Sequence, residues 1–349
     1  MKLKSFLFFL LLGSVSILQA SDRPLIKIET ERTSLIYQVG DNGRLYQKYL
    51  GKRLNHDSDI QFLPQGTEAY LTHGMEDYFE PAIHMRHNDN NSSLLLKYVE
   101  HSNEPKGDGV NETVITLKDD KYPVTVKLHY IAYGKENIIR TFSEISHQEK
   151  KTVVLNQFAS AYLPIRKGDV WLSHLYGAWA NEGRLEEVPL EAGMKVIKNK
   201  DGVRNSHTAH AEVMFSLDGK PRENEGRVIG AALCYSGNYK LRIDTDESDY
   251  HHFFAGINED NSTYNLKNGE IFRTPELALT YSDEGLSGSS RNFHRWARLH
   301  KLANGTKLRK ILLNSWEGVY FKINEDGMNQ MMADIASMGG ELFVMDDGW

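Results

Sequence analysis

Glu341-Leu342-Phe343-Val344-Met345-Asp346-Asp347-Gly348-Trp349 reads as a short apolar strand that ends in two adjacent carboxylates, a glycine and a tryptophan. Upstream, Lys310-Ile311-Leu312-Leu313-Asn314 is a second apolar strand, and Trp316 lies just past its end. Between the two, Asn324 or Asp326 is placed to cap a helix whose apolar face is Met328, Met331, Met332, Ile335 and Met338. Gly339-Gly340 is a C-terminal helix stop. The pattern strand–helix–strand, with near-continuous apolar strands, predicts a parallel pair joined by a right-handed crossover. Two strands and one helix cannot bury a core, so residues 310–349 read as the start of a larger α/β structure.

Working back from there, residues 25–281 carry strand signals broken by turns. Val124, Val126, Leu128 and Tyr130 alternate with Thr125, Lys127 and His129, the period of a half-buried strand. Val228 to Leu233 and Leu277 to Tyr281 are apolar runs of strand length. Asn42-Gly43, Asp201-Gly202 and Asp218-Gly219 are hairpin-type turn pairs. This predicts an all-β domain of packed antiparallel sheets over residues 21–282. Residues 282–290 form a polar, glycine-bearing opening to a helix, along one face of which Phe293, Trp296, Ala297 and His300 recur. Residues 283–309 thus read as a helical linker. The fold class expected is multidomain, β followed by α/β.

The 349 residues carry a formal charge of −6, with no basic excess to suggest nucleic acid or an anionic membrane as partner. Residues 1–20 read as an export signal: Lys2 and Lys4, then a short apolar run, then small residues for cleavage; a retained anchor is the alternative. Cleavage would move the charge to −8 and leave no membrane-directed segment. Cys234 is the one cysteine, so there is no intrachain disulfide, and it is expected to be a buried small hydrophobe.

Asp346 and Asp347 are the leading candidates for chemistry. Carboxylates accept hydrogen bonds from vicinal sugar hydroxyls, and the C-terminal end of a barrel strand faces the active site. The alternative is a solvated Asp-Asp-Gly turn. Trp316 could stack on the apolar side of a pyranose or fill a core. Trp179, in a loop-like stretch at residues 174–182, is read from its residues alone as sheet-edge packing. None of the 14 histidines falls in a metal-binding helical pattern, and there is no phosphate loop or nucleophile elbow, so no cofactor is expected.

Leu312-Leu313-Asn314-Ser315-Trp316-Glu317 with Tyr320-Phe321, followed by Leu342 to Trp349, resembles the barrel opening of family 36 glycoside hydrolases, the α-galactosidases. Six further segments fall in the family's order: Gly74-Met75-Glu76-Asp77-Tyr78-Phe79-Glu80-Pro81-Ala82, residues 174–182, Ser206-His207, Tyr235-Ser236-Gly237-Asn238, Gly256-Ile257-Asn258 and Thr274-Pro275-Glu276. The resemblance implies a large N-terminal β-supersandwich followed by a (β/α)8 barrel, of which residues 310–349 are the first βα-β. It implies retaining hydrolysis of terminal α-galactosides from oligosaccharides, and homo-oligomers, tetramers among them. It also implies that Asp346 and Asp347 hold galactose hydroxyls, that Trp316 shapes the pocket, and that Trp179 reaches an active site, in tetramers that of a neighbouring subunit.

Two positions depart from the family pattern: Phe79 where Arg is usual, and Lys322 where Asp is usual. A retaining glycosidase needs two carboxylates about 5–5.5 Å apart, on either side of the bond. In the family both follow the Asp-Asp-Gly-Trp motif, and the Lys-Trp-Asp nucleophile motif does not occur in these 349 residues. The chain by itself is therefore expected to be catalytically inactive. α-N-Acetylgalactosaminidase activity and a non-catalytic sugar-binding β-sandwich are the competing readings.

Overall fold

The computed structural model describes residues 23–75, 80–204 and 207–349, with the side chain of Asp57 left out. The proposed export signal, residues 1–20, lies outside them, as do Glu76, Asp77, Tyr78, Phe79 and Ser206 of the family-like segments. Among the described residues no helix is long and apolar enough to cross a membrane. The chain divides between Phe293 and His294 into two compact units, each described here by itself.

The first unit is built from antiparallel ladders. A ten-stranded sheet runs from the edge strand Arg184–Pro189 through Trp171–Tyr176, Ala209–Ser216, Val228–Cys234, Glu276–Ser282, Ile138–His147, Val124–Tyr133 and Val110–Asp119 to Leu96–Gly107. Ile271–Arg273 also pairs with Ile138–His147. Smaller sheets supply two hydrophobic cores. Ile26, Leu35, Tyr37 and Leu45, from the N-terminal four-stranded sheet, share one core with Val126, Leu128 and Ile145 of the large sheet. Leu163, Leu241, Ile243 and Phe253, from a second four-stranded sheet, share the other with Phe215, Ile229 and Leu279.

Two strands of that second sheet serve both cores. On Ala161–Arg166, Tyr162 joins the first core while Leu163 joins the second; on Tyr250–Ile257, Phe254 and Phe253 divide the same way. Side chains alternate across a strand, so burial on both faces needs a continuous apolar run, which both segments have. The expected alternation of Val124, Val126, Leu128 and Tyr130 is present, all four being buried.

Only one of the three turn pairs closes a tight hairpin. Asn42-Gly43 joins Thr33–Val39 to Leu45–Lys52, with Gly43 at φ +77°. Asp218-Gly219 opens a longer loop between the paired strands Ala209–Ser216 and Val228–Cys234. Asp201-Gly202 joins strands of different sheets, Gly193–Lys198 and Ala209–Ser216. The dipeptide specifies the bend, but strand partnering is decided by the cores. Cys234 corrects the expectation of burial: it ends its strand exposed, because Leu233 takes the core-facing position beside it.

The helix Gly285–Trp296 begins inside the polar stretch expected to precede it. The N–H groups of Gly285, Leu286 and Ser287 donate to the carbonyls of Gly226, Arg222 and Glu223, at 3.0, 3.1 and 2.9 Å. A distant loop therefore satisfies the orphan donors of the first turn, and no local capping residue is required. The final turn, Ala297–Lys301, is π-helical, and His300 is exposed there.

His251 and His252 are both buried on Tyr250–Ile257. Thr245 Oγ1 lies 2.7 Å from His251 Nδ1, and Tyr162 Oη lies 2.7 Å from His252 Nδ1. Burial lowers both imidazoles to about 4; the Lys167 charge adds to this, and Asp246 partly opposes it at His252. They are thus neutral in the fold and bind protons in the unfolded chain from the ordinary value of 6.5 downward. Their contribution to stability is accordingly complete above pH 6.5 and is lost between there and about pH 4. A melting-temperature series over that interval should show the decline, with a shallower slope in His251→Asn; parallel slopes would contradict this source of acid sensitivity.

Candidate functional site

In the second unit, Leu312–Asn314 and Leu342–Val344 pair in parallel, joined through the helix Glu325–Ser337. This is the crossover expected from the apolar pattern. Asn324 is the cap: its Oδ1 accepts from Gly327 N at 2.9 Å. Gly339, at φ +88°, follows the helix end. Of the expected apolar helix face, Met328 is buried, Met331 and Ile335 are half-buried, and Met332 and Met338 are exposed. A single βα-β offers one side of packing, and the face is covered only in part.

The two parallel strands end together, and their ends interlock. Asn314 stands opposite Val344, two residues before Asp346. Asn314 Nδ2 donates to Asp346 Oδ2 at 2.6 Å, while Asn314 Oδ1 accepts from Trp316 N at 2.8 Å. Ser315 is buried; its N–H donates to Val344 O at 2.9 Å and its Oγ accepts from Asp346 N at 3.0 Å. Asp346 Oδ1 takes the N–H of Asp347 at 2.7 Å, and Asp347 Oδ1 takes that of Gly348 at 2.8 Å.

The Asn314 amide, and then the Asp347 N–H, hold the Asp346 carboxyl below its usual range. Gly348 sits at φ +101°, and a Cβ there would lie 3.1 Å from Phe321 Cα, so the turn accepts only glycine without strain. Trp316 is half-buried and opens the short helix Trp316–Val319. Its ring meets Tyr320 and Phe321 edge-on, with centroids 5.3 and 4.9 Å away. Both of those rings are exposed.

Asp346, Asp347 and Trp316 therefore gather at one mouth, at the carboxyl ends of parallel strands. The arrangement presents a preorganised carboxylate, a second exposed one and an aromatic cluster, which suits hydroxyl recognition beside an apolar ring face. It does not supply two carboxylates facing each other across a bond, because Asp346 is tied to the backbone of its neighbour. Asn314 and Ser315 were absent from the candidate list drawn from sequence. Their signal was register: a polar pair closing one strand, opposite the strand that ends in the aspartates. Among the described residues no three His, Cys, Asp or Glu side chains converge as a metal site would require.

Trp179 belongs to the first unit, so these contacts do not include it. It caps the loop between Trp171–Tyr176 and Arg184–Pro189 and is 81% exposed, which overturns the sheet-edge packing read from its residues alone. The loop is tightly built. Ala178 and Asn181 exchange backbone hydrogen bonds at 3.3 and 2.9 Å, and Ala180 N donates to Glu182 Oε1 at 3.0 Å. A Cβ on Gly177 would stand 2.5 Å from Asn181 O, so glycine is needed for the loop to close. The turn therefore holds a large aromatic side chain outward.

Residues 43–267 match the glycosyl hydrolase family 36 N-terminal domain, and residues 271–349 match the melibiase family. Alpha-galactosidase Mel36A of Lactobacillus acidophilus is 27% identical, over 92% of this chain and 49% of its own length. Alpha-galactosidase AgaA of Geobacillus stearothermophilus is 30% identical, over 81% of this chain and 41% of its own. The crystal structure of AgaA superposes with a TM-score of 0.85 over 93% of this chain and 50% of that one, at 27% identity. Variants of AgaA have been solved with stachyose and with raffinose. The chain spans about half the length of the curated relatives it matches. With two consecutive family domains matched across most of its length, the chain belongs to glycoside hydrolase family 36.

Proposed function

We propose that this chain is part of an exported α-galactosidase, which removes terminal non-reducing α-galactose from oligosaccharides with retention of configuration. The observation that carries the reading is the mouth formed by Asn314, Asp346 and Asp347 at the carboxyl ends of the two parallel strands. On this reading the βα-β unit opens a (β/α)8 barrel, and Asp346 and Asp347 bind galactose hydroxyls beside the Trp316 cluster. The acid/base and nucleophile carboxylates come from barrel strands outside residues 1–349. Trp179 reaches a galactoside site, in a homotetramer that of a neighbouring subunit, which accounts for its exposure on a rigid loop. Residues 1–20 direct export, to the periplasm or the medium.

The test compares residues 1–349 with the product of the full gene. The full-length enzyme should hydrolyse an aryl α-galactoside with α-galactose as the first product by NMR, and Trp179→Ala should raise KM about tenfold by removing a stacking contact. Residues 1–349 alone should release no galactose. Preferential turnover of the aryl α-N-acetylgalactosaminide would replace the proposed substrate. Release of galactose by residues 1–349 would contradict the assignment of catalysis to later strands.

A further inference from the structure

A cavity of about 400 Å3 opens in the first unit at the seam between its two cores; Leu50, in its wall, packs against both. The strand Leu45–Lys52 supplies four consecutive wall residues, Gln47 through Leu50. A regular strand turns only every second side chain to one side. Here the pairing with Thr33–Val39 slips: Ile36 stands opposite Tyr49 and Tyr37 opposite Gln47, which leaves Lys48 as the bulged residue. Bulges of this kind re-aim side chains and are over-represented beside functional sites.

The wall is cationic. Lys48, Arg166, Lys167 and Arg227 line it, and among the described residues no aspartate or glutamate does. Arg227 is paired with Asp218, and Lys167 donates to the carbonyl of Asp246. Lys48 and Arg166 have no ion pair or side-chain hydrogen bond among the described residues. Burial, then the Arg23 charge, hold the Lys48 ammonium below its ordinary value, a direction that a bound anion would reverse. Gln47 is 5% exposed, and its Oε1 has no hydrogen-bond partner. A buried, unpaired amide oxygen beside a cavity calls for a donor from a ligand or water. Tyr250 adds aromatic surface to the same wall.

We propose that this cavity binds an acidic monosaccharide, whose phosphate or carboxylate is met by Lys48 and Arg166 and whose hydroxyl donates to Gln47. The volume is that of a small-ligand site, and two uncompensated cations with an orphaned acceptor match an anion that also carries hydroxyls. The inference does not depend on the proposed galactosidase activity.

Calorimetry on the Asp346→Ala protein, in which the other mouth is disabled, compares galactose 6-phosphate, galacturonate, galactose and inorganic phosphate. At least one of the two acidic sugars should bind, and which one does identifies the anionic group; galactose should bind at least ~10-fold more weakly. Lys48→Gln with Arg166→Gln should weaken binding by ~10-fold or more at an unchanged melting temperature, and Lys48→Arg should retain it. Gln47→Leu should narrow the advantage of the sugar over inorganic phosphate. Absence of binding by both acidic sugars at millimolar concentration would overturn the proposal. So would equal affinity for inorganic phosphate, or unchanged binding in the double variant.

Discussion

Asp346→Ala should lower the affinity for galactose by roughly 10- to 100-fold, the largest effect expected at the mouth of the parallel strands. A charge-assisted hydrogen bond contributes about 1.5–3 kcal/mol, and each 1.4 kcal/mol is a factor of ten. The substitution also removes the acceptor that anchors Asn314 and the N–H of Asp347, so the neighbouring carboxylate loses its fixed position. Asp346→Asn, which keeps an acceptor but not the charge, should cost less. Asn314→Ala tests the positioning role separately. Because the Asn314 amide depresses the Asp346 titration, binding that needs the ionised carboxylate persists below the usual carboxylate range and is lost only as pH falls through the lowered value. Without the amide that loss should move to higher pH. Calorimetric titrations with galactose across pH 3–7 measure both effects (about the span in which carboxylates titrate). An Asn314→Ala profile that overlays the parent's would show that the contact does not tune the site.

Arg44→Met should destabilise the first unit by about 3–5 kcal/mol, because it removes the guanidinium that faces a buried carboxylate. Arg44 and Glu68 are 7% and 8% exposed, and the guanidinium meets the carboxylate through two donors, Nε to Oε1 at 3.0 Å and Nη2 to Oε2. Removing one partner takes a buried counterion from the other. Removing both with Arg44→Met and Glu68→Leu should recover more than half of the loss, since an apolar pair of similar volume carries no such penalty. Urea denaturation followed by tryptophan fluorescence measures the series. A single-substitution loss below about 1 kcal/mol would place the pair among solvent-exposed bridges of little consequence.

The strand–helix–strand pattern was legible because its physics is local. Apolar runs, the Asn324 cap and the Gly339-Gly340 stop all act within a few residues, and each appears where the sequence placed it. The start of the helix Gly285–Trp296 was not legible, since its first donors are met by carbonyls some 60 positions earlier in the chain, at Arg222, Glu223 and Gly226. The same distinction explains the turns. Asn42-Gly43 joins partners that are sequence neighbours, whereas the strands flanking Asp201-Gly202 find partners in separate sheets. Cys234 read as buried because its neighbours are apolar, yet its strand end carries it to the surface.

By itself the sequence determined the β-then-α/β order, the parallel pair and the family to which this chain belongs, because periodicity and short motifs are properties of neighbouring residues. Only the tertiary structure decided how the candidate residues stand. Asp346 is locked by Asn314 from the facing strand, and Trp179 is turned outward by a loop closed on Gly177. The cationic cavity likewise exists only because a bulge at Lys48 and two separate cores meet there. In each case the deciding contact joins residues far apart in the chain, and such contacts depend on how the strands partner and pack.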